Sequence, residues 1–217
     1  MEILILLDRQ MMYNPSIEEL VKRCRMKRLF IAVPIAEALR GCVSRIISGD
    51  EGLRRMPVRW TPAGNLHLTV QFLGDVEEKR IPTLKAILDR LSIHIDPGVL
   101  RISGAGAFPN KKDPSILWLG FEENPALPGI RKQIDEALTR AAFEIDRKPF
   151  RAHLTLGRVQ RDRHLTAEEL RHFETAFKAD LFPDSPLDHV TLFESRLRPG
   201  GPIYTGLYEK VLLPGND

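Results

Sequence analysis

Four histidines in this sequence are each followed two residues later by a threonine: His67-Leu-Thr69, His153-Leu-Thr155, His164-Leu-Thr166 and His189-Val-Thr191. On a β-strand, residues i and i+2 point to the same face and lie about 6.6 Å apart, at roughly 3.3 Å per residue. An imidazole and a hydroxyl would then share one face, with room for a phosphate-sized group between them. On a helix, the same spacing sends the two side chains to different faces. The motif therefore suits chemistry only where it lies on a strand.

The first two motifs lie in apolar runs with a strand pattern. His67, Thr69 and Gln71 alternate with the apolar residues of the run 66–73, and the run 152–156 repeats this arrangement around the second motif. Polar residues on one face of a strand can face solvent or form the floor of a site. For either motif alone, a solvent-facing sheet surface is the simpler interpretation, because short motifs often occur by chance.

The other two motifs are less suited to catalysis. Thr166 precedes Glu169 by three residues, which predicts a capping box at the start of a helix and leaves His164 as an exposed loop residue. His189-Val-Thr191 also lies in a strand-like run, but its surroundings are acidic and no helix follows it to repeat the unit. We predict that neither motif is catalytic.

Basic residues surround both of the first two motifs. No acidic residue occurs between Glu51 and Asp75, and this stretch contains three arginines: Arg54, Arg55 and Arg59. Near the second motif, six basic residues accompany a single acid, Asp162: Arg147, Lys148, Arg151, Arg158, Arg161 and Arg163. The net charge of +3 is too small to imply a polyanionic partner. Two basic clusters beside two His-x-Thr motifs nevertheless favour a site for a phosphate-bearing ligand.

Hydrophobic periodicity predicts the elements that carry these motifs. Helices are predicted over 39–47, 81–91, 127–141 and 166–177. Strands are predicted over 29–33, 66–73, 99–108, 116–121, 150–159, 187–197 and 203–213. A helix, a His-x-Thr strand and a second helix occur twice in that order, which indicates an approximate internal duplication with each half giving one strand to a shared centre. Because the regular βαβ alternation of a doubly wound sheet is missing, we predict an α+β fold with antiparallel pairing.

Composition excludes several classes of protein. The chain has 217 residues, of which 43% are apolar and 28% charged, as is usual for a folded protein and unlike a disordered or collagen-like one. Its apolar runs fall short of the roughly 18 residues of a membrane-spanning helix, and we expect neither a membrane span nor a secretory signal. Two cysteines, Cys24 and Cys42, cannot form a multi-disulfide framework or a Cys-rich metal site. We therefore expect a cytoplasmic protein.

Residues 1–25 are predicted to be an N-terminal extension outside the catalytic domain, which would comprise 26–217. From Met26 the sequence reads Met-Lys-Arg-Leu-Phe-Ile-Ala-Val, which has the form of a start followed directly by a strand. The alternative interpretation is a short docked helix over 17–25.

Two histidines that meet in one cleft would suffice for phosphodiester hydrolysis. If the duplication brings His67 and His153 together, two imidazoles with an ordinary pKa of about 6.5 face the same point. A neutral imidazole can take a proton from water, and an imidazolium can give one to a leaving oxygen. Threonine hydroxyls and an arginine would bind the non-bridging oxygens. Such a site needs no metal.

Further segments accompany the motifs His67-Leu-Thr-Val70 and His153-Leu-Thr-Leu156. They are Arg28-Leu-Phe-Ile-Ala-Val33, Val58-Arg-Trp60, Phe72-Leu-Gly74, Gly104-Ala-Gly-Ala-Phe-Pro109, Leu117-Trp-Leu-Gly120, Pro149-Phe-Arg151, Leu192-Phe-Glu-Ser195 and Gly201-Pro-Ile-Tyr204. With these segments, the chain from about Met26 to Leu213 resembles the 2H phosphoesterases. It is most similar to the RNA 2′,3′-cyclic phosphodiesterases, which are also known as 2′-5′ RNA ligases. The 25-residue extension and the extra motif at His189 depart from the family pattern.

The resemblance implies a bilobal α+β fold with pseudo-twofold symmetry, in which duplicated antiparallel sheets flanked by helices enclose a cleft between the lobes. It implies hydrolysis of a 2′,3′-cyclic phosphate on RNA ends or nucleotides to a 2′-phosphomonoester, without a metal or other cofactor. By this likeness His67 is the proton donor, His153 the proton acceptor, and Thr69 and Thr155 are phosphate ligands. Arg151, on the strand face of His153, is expected to add a phosphate contact. We expect a monomer.

Three other functions stay open at this point. The same histidines could catalyse the reverse reaction, 2′-5′ ligation of RNA ends; the chain could be a non-catalytic RNA-binding module; or the histidines could be ligands in a metallohydrolase. Trp60, Phe72 and Phe150 could stack on a base, although core packing is the better expectation for the two phenylalanines.

Overall fold

The computed structural model of the chain describes residues 25–91 and 98–212. In these two ranges the chain forms ten β-strands and five α-helices. The strands are β1 (Met26–Pro34), β2 (Val58–Trp60), β3 (His67–Glu77), β4 (Val99–Leu100), β5 (Ile102–Phe108), β6 (Ile116–Phe121), β7 (His153–Val159), β8 (Ser185–Pro186), β9 (His189–Arg198) and β10 (Gly201–Val211). The helices are α1 (Glu37–Gly49), α2 (Glu51–Arg55), α3 (Ile81–Arg90), α4 (Ala126–Arg140) and α5 (Ala167–Ala176).

Most strands belong to one antiparallel sheet. Its order is β10-β9-β1-β3-β7-β6-β5, and β2 pairs with the distal end of β7. Strands β3 and β7 are joined at the centre by one residue pair, Leu68 with Leu154. The sheet thus consists of two parts, one around β3 and one around β7, which meet at this pair. Helices flank the sheet, so the predicted α+β fold with antiparallel pairing is confirmed.

The hydrophobic core forms where the helices cover the sheet. Helix α4 buries four apolar residues at helical spacing: Leu127, Ile130, Ile134 and Leu138. Leu68 and Leu154 are fully buried in the same core. Burial of one such side chain stabilises the fold by about 1.5–3 kcal/mol. This burial sets which face of β3 and β7 points inward, and so leaves the opposite face for the polar residues of the motifs.

Periodicity located the long elements, and short ones were missed. The four predicted helices are α1, α3, α4 and α5, and Thr166 caps α5 in the predicted capping box. The predicted strand 99–108 is split, because Val99–Leu100 pairs with Ser185–Pro186 instead of continuing into β5. Helix α2 and strand β2 were not predicted. Residues 1–24 lie outside the described residues, and they include most of the predicted extension and of the alternative helix 17–25. Leu213, the last residue of a predicted strand, also lies outside them.

Both motif strands contain a β-bulge directly after their threonine. In β3, Gln71 pairs with Ile31 and Thr69 with Ala32, so Val70 is the inserted residue. In β7, Gly157 pairs with Leu117 and Thr155 with Trp118, so Leu156 is inserted. A bulge reverses the alternation of side chains beyond it.

The bulge in β3 overturns two expectations. Strict alternation placed Gln71 on the face of His67 and Phe72 in the core. Gln71 is instead fully buried, and Phe72 is 50% exposed on the face of the histidine. The prediction that Phe72 packs in the core is therefore wrong. Phe150, in contrast, packs against the core as expected.

In the part of the chain that the structure describes, no helix combines the length and the apolar character needed to span a membrane.

The close approach of β2 to β7 predicts a stability change at Gly157. A Cβ atom on Gly157 would lie 2.5 Å from Cγ1 of Val58 and 3.1 Å from Cε3 of Trp60. We expect Gly157→Ala to lower the free energy of unfolding by about 1–3 kcal/mol, because β2 must move away. Urea denaturation measures the change.

Gly129→Ala in α4 is the matched control. A Cβ at Gly129 would meet no atom within 4 Å. That substitution should raise stability by up to about 1 kcal/mol, through helix propensity. Equal stabilities of the two variants would contradict the close packing of β2 on β7.

Candidate active site

The pairing of β3 with β7 brings the first two His-x-Thr motifs together. Because the paired Leu68 and Leu154 point into the core, the residues on either side of them point to the opposite face. In an antiparallel pair this sets His67 opposite Thr155 and Thr69 opposite His153. Opposite Cβ atoms lie about 4.5–5.5 Å apart, and the two histidines lie on a diagonal of about 7–8 Å.

All four residues line one cavity of about 530 Å³. Its cationic lining consists of Arg28, Arg59 and Arg158, and its aromatic lining includes Phe30, Phe72 and Tyr204. No carboxylate is among the described residues that line it. The cavity has a size usual for ligand sites and favours an anionic ligand.

Both histidines are held by the same backbone interaction. Nδ1 of His67 lies 2.7 Å from the carbonyl oxygen of Asn65, and Nδ1 of His153 lies 2.7 Å from that of Arg151. A carbonyl oxygen only accepts hydrogen bonds, so in each neutral ring Nδ1 carries the proton. Nε2 is then the nitrogen that can exchange a proton with a ligand.

Aromatic rings fix the orientation of each imidazole. The ring of Tyr204 meets that of His67 edge-on, with centroids 5.2 Å apart, and Phe108 meets His153 at the same distance and in the same arrangement. Phe30 lies 4.8 Å from His67. Asn65 also donates from Nδ2 to the carbonyl of Pro202 at 2.7 Å, which ties the start of β10 to the first motif.

Burial changes the acidity of two cavity groups. It lowers the pKa of His67, the hydrogen bond to Asn65 opposes this effect, and the charge of His153 adds to it. Burial raises the pKa of Tyr204, while the charges of Arg158 and Arg28 act in the opposite direction. These effects indicate that His153 acts electrostatically on His67, and that Arg158 and Arg28 act on Tyr204.

The structure places only some of the predicted basic residues at the cavity. Arg151 is exposed and outside the lining, and it contributes its carbonyl oxygen to His153. Of the two basic clusters, Arg59 and Arg158 reach the cavity. Arg28 and Tyr204 were absent from the predicted site. The only signal for them was their presence in the segments 28–33 and 201–204.

The remaining two motifs lie away from this cavity. Nδ1 of His189 is hydrogen-bonded to Asp188, and Nε2 lies 3.8 Å from a carboxylate oxygen of Glu209. Thr191 is buried. Thr166 caps α5, and His164 is exposed. Within residues 25–91 and 98–212, no group of three or more His, Cys, Asp or Glu residues is arranged to hold a metal ion.

A partly buried polar network supports the bulge behind His67. Gln71 donates from Nε2 to Asp135, and its Oε1 accepts from the backbone N–H of Asp146 at 3.1 Å. Arg131 bonds Asp135 through Nε at 2.6 Å and donates to the carbonyls of Val70 and Asp146. One guanidinium thereby connects the bulge in β3 with the loop that leads to β7.

The sequence and the fold identify a phosphoesterase of the LigT type. The family model described as LigT like Phosphoesterase matches residues 33–118 and 120–204, and the chain belongs to this family.

Among curated relatives, the RNA 2′,3′-cyclic phosphodiesterase of Archaeoglobus fulgidus is 33% identical over 181 residues, which cover 83% of this chain and 97% of the relative. The protein of the same name from Methanocaldococcus jannaschii is 32% identical over 182 residues, or 84% of this chain and 99% of the relative.

Solved structures share the fold. The protein TT0787 of Thermus thermophilus superposes with a TM-score of 0.70 at 26% identity, covering 87% of this chain and 100% of that one. Apo LigT of E. coli superposes with a TM-score of 0.67 at 21% identity, over 87% of this chain and 99% of LigT.

The network predicts a large stability loss for Arg131→Met. The substitution leaves the carboxylate of Asp135 without its cation and two carbonyls without their donor, so we expect a loss of about 1–3 kcal/mol in the free energy of unfolding. Lys132→Met is the control, because Lys132 is exposed on the same helix and should change stability by less than about 0.5 kcal/mol. Urea denaturation of both variants measures the difference. Similar losses would contradict a special role for Arg131.

Proposed function

We propose that this protein hydrolyses the terminal 2′,3′-cyclic phosphate of RNA to a 2′-phosphomonoester, with His67 and His153 as general acid and base. One observation carries the proposal: two imidazoles, each with Nε2 available, share one arginine-lined cavity across the Leu68–Leu154 pair. The curated relatives named RNA 2′,3′-cyclic phosphodiesterase support the choice of substrate.

In the proposed reaction, Nε2 of neutral His153 takes a proton from a water molecule as it attacks phosphorus. The bond between phosphorus and the 3′ oxygen breaks, and protonated His67 gives its Nε2 proton to that oxygen. The product keeps the phosphate on the 2′ oxygen. Attacking and leaving oxygens lie on opposite sides of phosphorus in such a displacement, which agrees with two histidines on a diagonal of the strand pair.

Charge stabilisation in this scheme comes from the cavity lining. Hydroxyls of Thr69 and Thr155 would bind the non-bridging oxygens, and Arg158 lies closest in sequence to the second motif among the lining arginines. Preorganised donors of this kind stabilise the charge that develops in the transition state. Arg151 is the weaker candidate for a phosphate contact, because its side chain does not line the cavity. The scheme uses no metal ion or other cofactor.

The cytoplasmic location and the monomeric state stay predictions. Cys42 is buried as a free thiol and donates to the carbonyl of Leu181 at 3.2 Å, which agrees with a reducing compartment.

Replacing either histidine tests the assignment of acid and base. We expect His67→Ala and His153→Ala each to lower the rate of hydrolysis about 10²–10⁴-fold, the usual contribution of a general acid or base. The assay uses a short RNA that ends in a 2′,3′-cyclic phosphate, with excess chelator present.

His189→Ala is the matched control, because it removes the histidine of another His-x-Thr motif that lies outside the cavity. Its activity should equal that of the wild type. A larger loss for this variant than for the other two would overturn the proposed site. Loss of wild-type activity in chelator would favour a metallohydrolase, and RNA that binds but stays unchanged would favour a binding module.

The lowered pKa of His67 predicts a difference between two pH profiles. In the free protein, burial holds this pKa below the usual value of 6.5. Activity needs His67 protonated and His153 neutral, so the alkaline limb of kcat/KM marks the pH at which the imidazole pair of the free protein loses its last proton. A bound phosphate places negative charge beside the ring and raises its pKa. The alkaline limb of kcat should therefore lie at higher pH than that of kcat/KM.

Initial rates over roughly pH 5–9 give both profiles, since kcat/KM reports the free enzyme and kcat the complex. An alkaline limb of kcat at the same or lower pH would contradict the binding of the phosphate beside these imidazoles.

A further inference from the structure

Two arginines lie directly opposite each other where β2 pairs with β7. Arg59 pairs with Arg158, and both side chains line the cavity. Like charges at such positions are destabilising. Among the described residues, neither arginine has a carboxylate within ion-pair distance. The pair therefore lacks the usual compensation for two neighbouring cations, and an anion could supply it.

Strand β2 holds Arg59 in this position through several contacts. The backbone N–H of Thr61 donates to the carbonyl of Leu156 at 2.7 Å. Nε1 of Trp60 donates to the carbonyl of Leu53 at 3.3 Å, and the indole stacks on Phe173. Gly157 has no side chain, so β2 can lie close against β7. The backbone of Arg59 is thus fixed, although its side chain is exposed.

Arg59 lies away from the place where the two motifs meet. Strand β3 pairs with β7 at Leu154, and Arg59 pairs with β7 at Arg158. These two positions on β7 are four residues apart, and the bulge adds one of those residues. Its backbone is therefore displaced by roughly 10 Å along the strand, at about 3.3 Å per residue. Arg158 has the same position along β7, and its charge opposes the rise that burial causes in the pKa of Tyr204, which contacts His67.

The cavity contains more cationic side chains than are needed to neutralise a single cyclic phosphate. That group carries one negative charge, while the described residues that line the cavity include three arginines and no carboxylate. At the 3′ end of an RNA chain, the nearest additional phosphate is the diester that joins the terminal nucleotide to the one before it. A cyclic mononucleotide lacks this group.

We propose that Arg59 forms a second phosphate subsite, which binds the internal phosphodiester on the 5′ side of the terminal nucleotide. The subsite makes the protein act preferentially on RNA chains over cyclic mononucleotides. This inference rests on the proposed function and adds the substrate class that its site prefers.

The test compares two substrates with wild type and Arg59→Met. One is a nucleoside 2′,3′-cyclic phosphate with no other phosphate, and the other is a trinucleotide that ends in the same group. The ratio of kcat/KM for the trinucleotide to that for the mononucleotide should fall about tenfold in the variant, because a charge-assisted contact to phosphate is lost. The salt dependence of log kcat/KM for the trinucleotide should also weaken, by about 0.7 in slope.

Arg54→Met is the matched control. It removes the same charge from the neighbouring helix α2, and its side chain is exposed and outside the cavity lining. Its substrate ratio should equal that of the wild type. Arg59→Lys, which keeps the charge without the planar fork, should give a ratio between those of wild type and Arg59→Met.

Two outcomes would overturn the subsite. An unchanged ratio in Arg59→Met would identify Arg59 as a solvated surface arginine, and an equal loss with both substrates would place it at the reacting phosphate. Binding of the trinucleotide product, which carries a terminal 2′-phosphate, keeps the test independent of turnover. If wild type hydrolyses neither substrate, the proposed function fails. The subsite is still supported if Arg59→Met binds this product more weakly than wild type but binds the nucleoside 2′-phosphate equally well. An equal affinity for the trinucleotide product would refute the subsite.

Discussion

The pairing of Leu68 with Leu154 is the constraint on which the candidate site depends. It is the one residue pair that joins β3 to β7, and both side chains are fully buried. A slip of one residue in either strand would turn a leucine to solvent and a histidine into the core. Exposure of one leucine alone costs about 1.5–3 kcal/mol. The hydrophobic core therefore fixes the register, and the register fixes where the two imidazoles face.

The bulges in β3 and β7 lie at equivalent positions, but the residues that they direct to the cavity differ. Each bulge follows the threonine of its motif and returns the residue five positions after the histidine to the cavity face. That residue is Phe72 on one strand and Arg158 on the other. Phe72 lies beside Phe30, which contacts His67, whereas Arg158 lies opposite Arg59. One repeated backbone feature thus presents an aromatic ring to the cavity from β3 and a cation from β7.

Periodicity and alternation sufficed to predict four of the five described helices and both motif strands. They failed at Gln71 and Phe72, because an inserted residue depends on the partner strand and leaves no mark in local alternation. Arg28 and Tyr204 reach the cavity from β1 and β10, which are distant in sequence from both motifs. Arg151 was expected to act through its side chain, whereas the contact that the structure shows uses its carbonyl oxygen. Such a role is open to any residue type, so residue identity could not reveal it.

The two imidazoles have the same backbone anchor but different surroundings. Each Nδ1 bonds the carbonyl two residues earlier, so in both neutral rings Nε2 is the nitrogen available to a ligand. His67 also contacts the rings of Phe30 and Tyr204, and burial lowers its pKa. Without a ligand, the charge of His153 further disfavours a charged His67. An anion in the cavity would reverse that balance by favouring the imidazolium. In the proposed mechanism, the negative charge of the substrate thus helps to protonate the group that later gives its proton to the leaving oxygen.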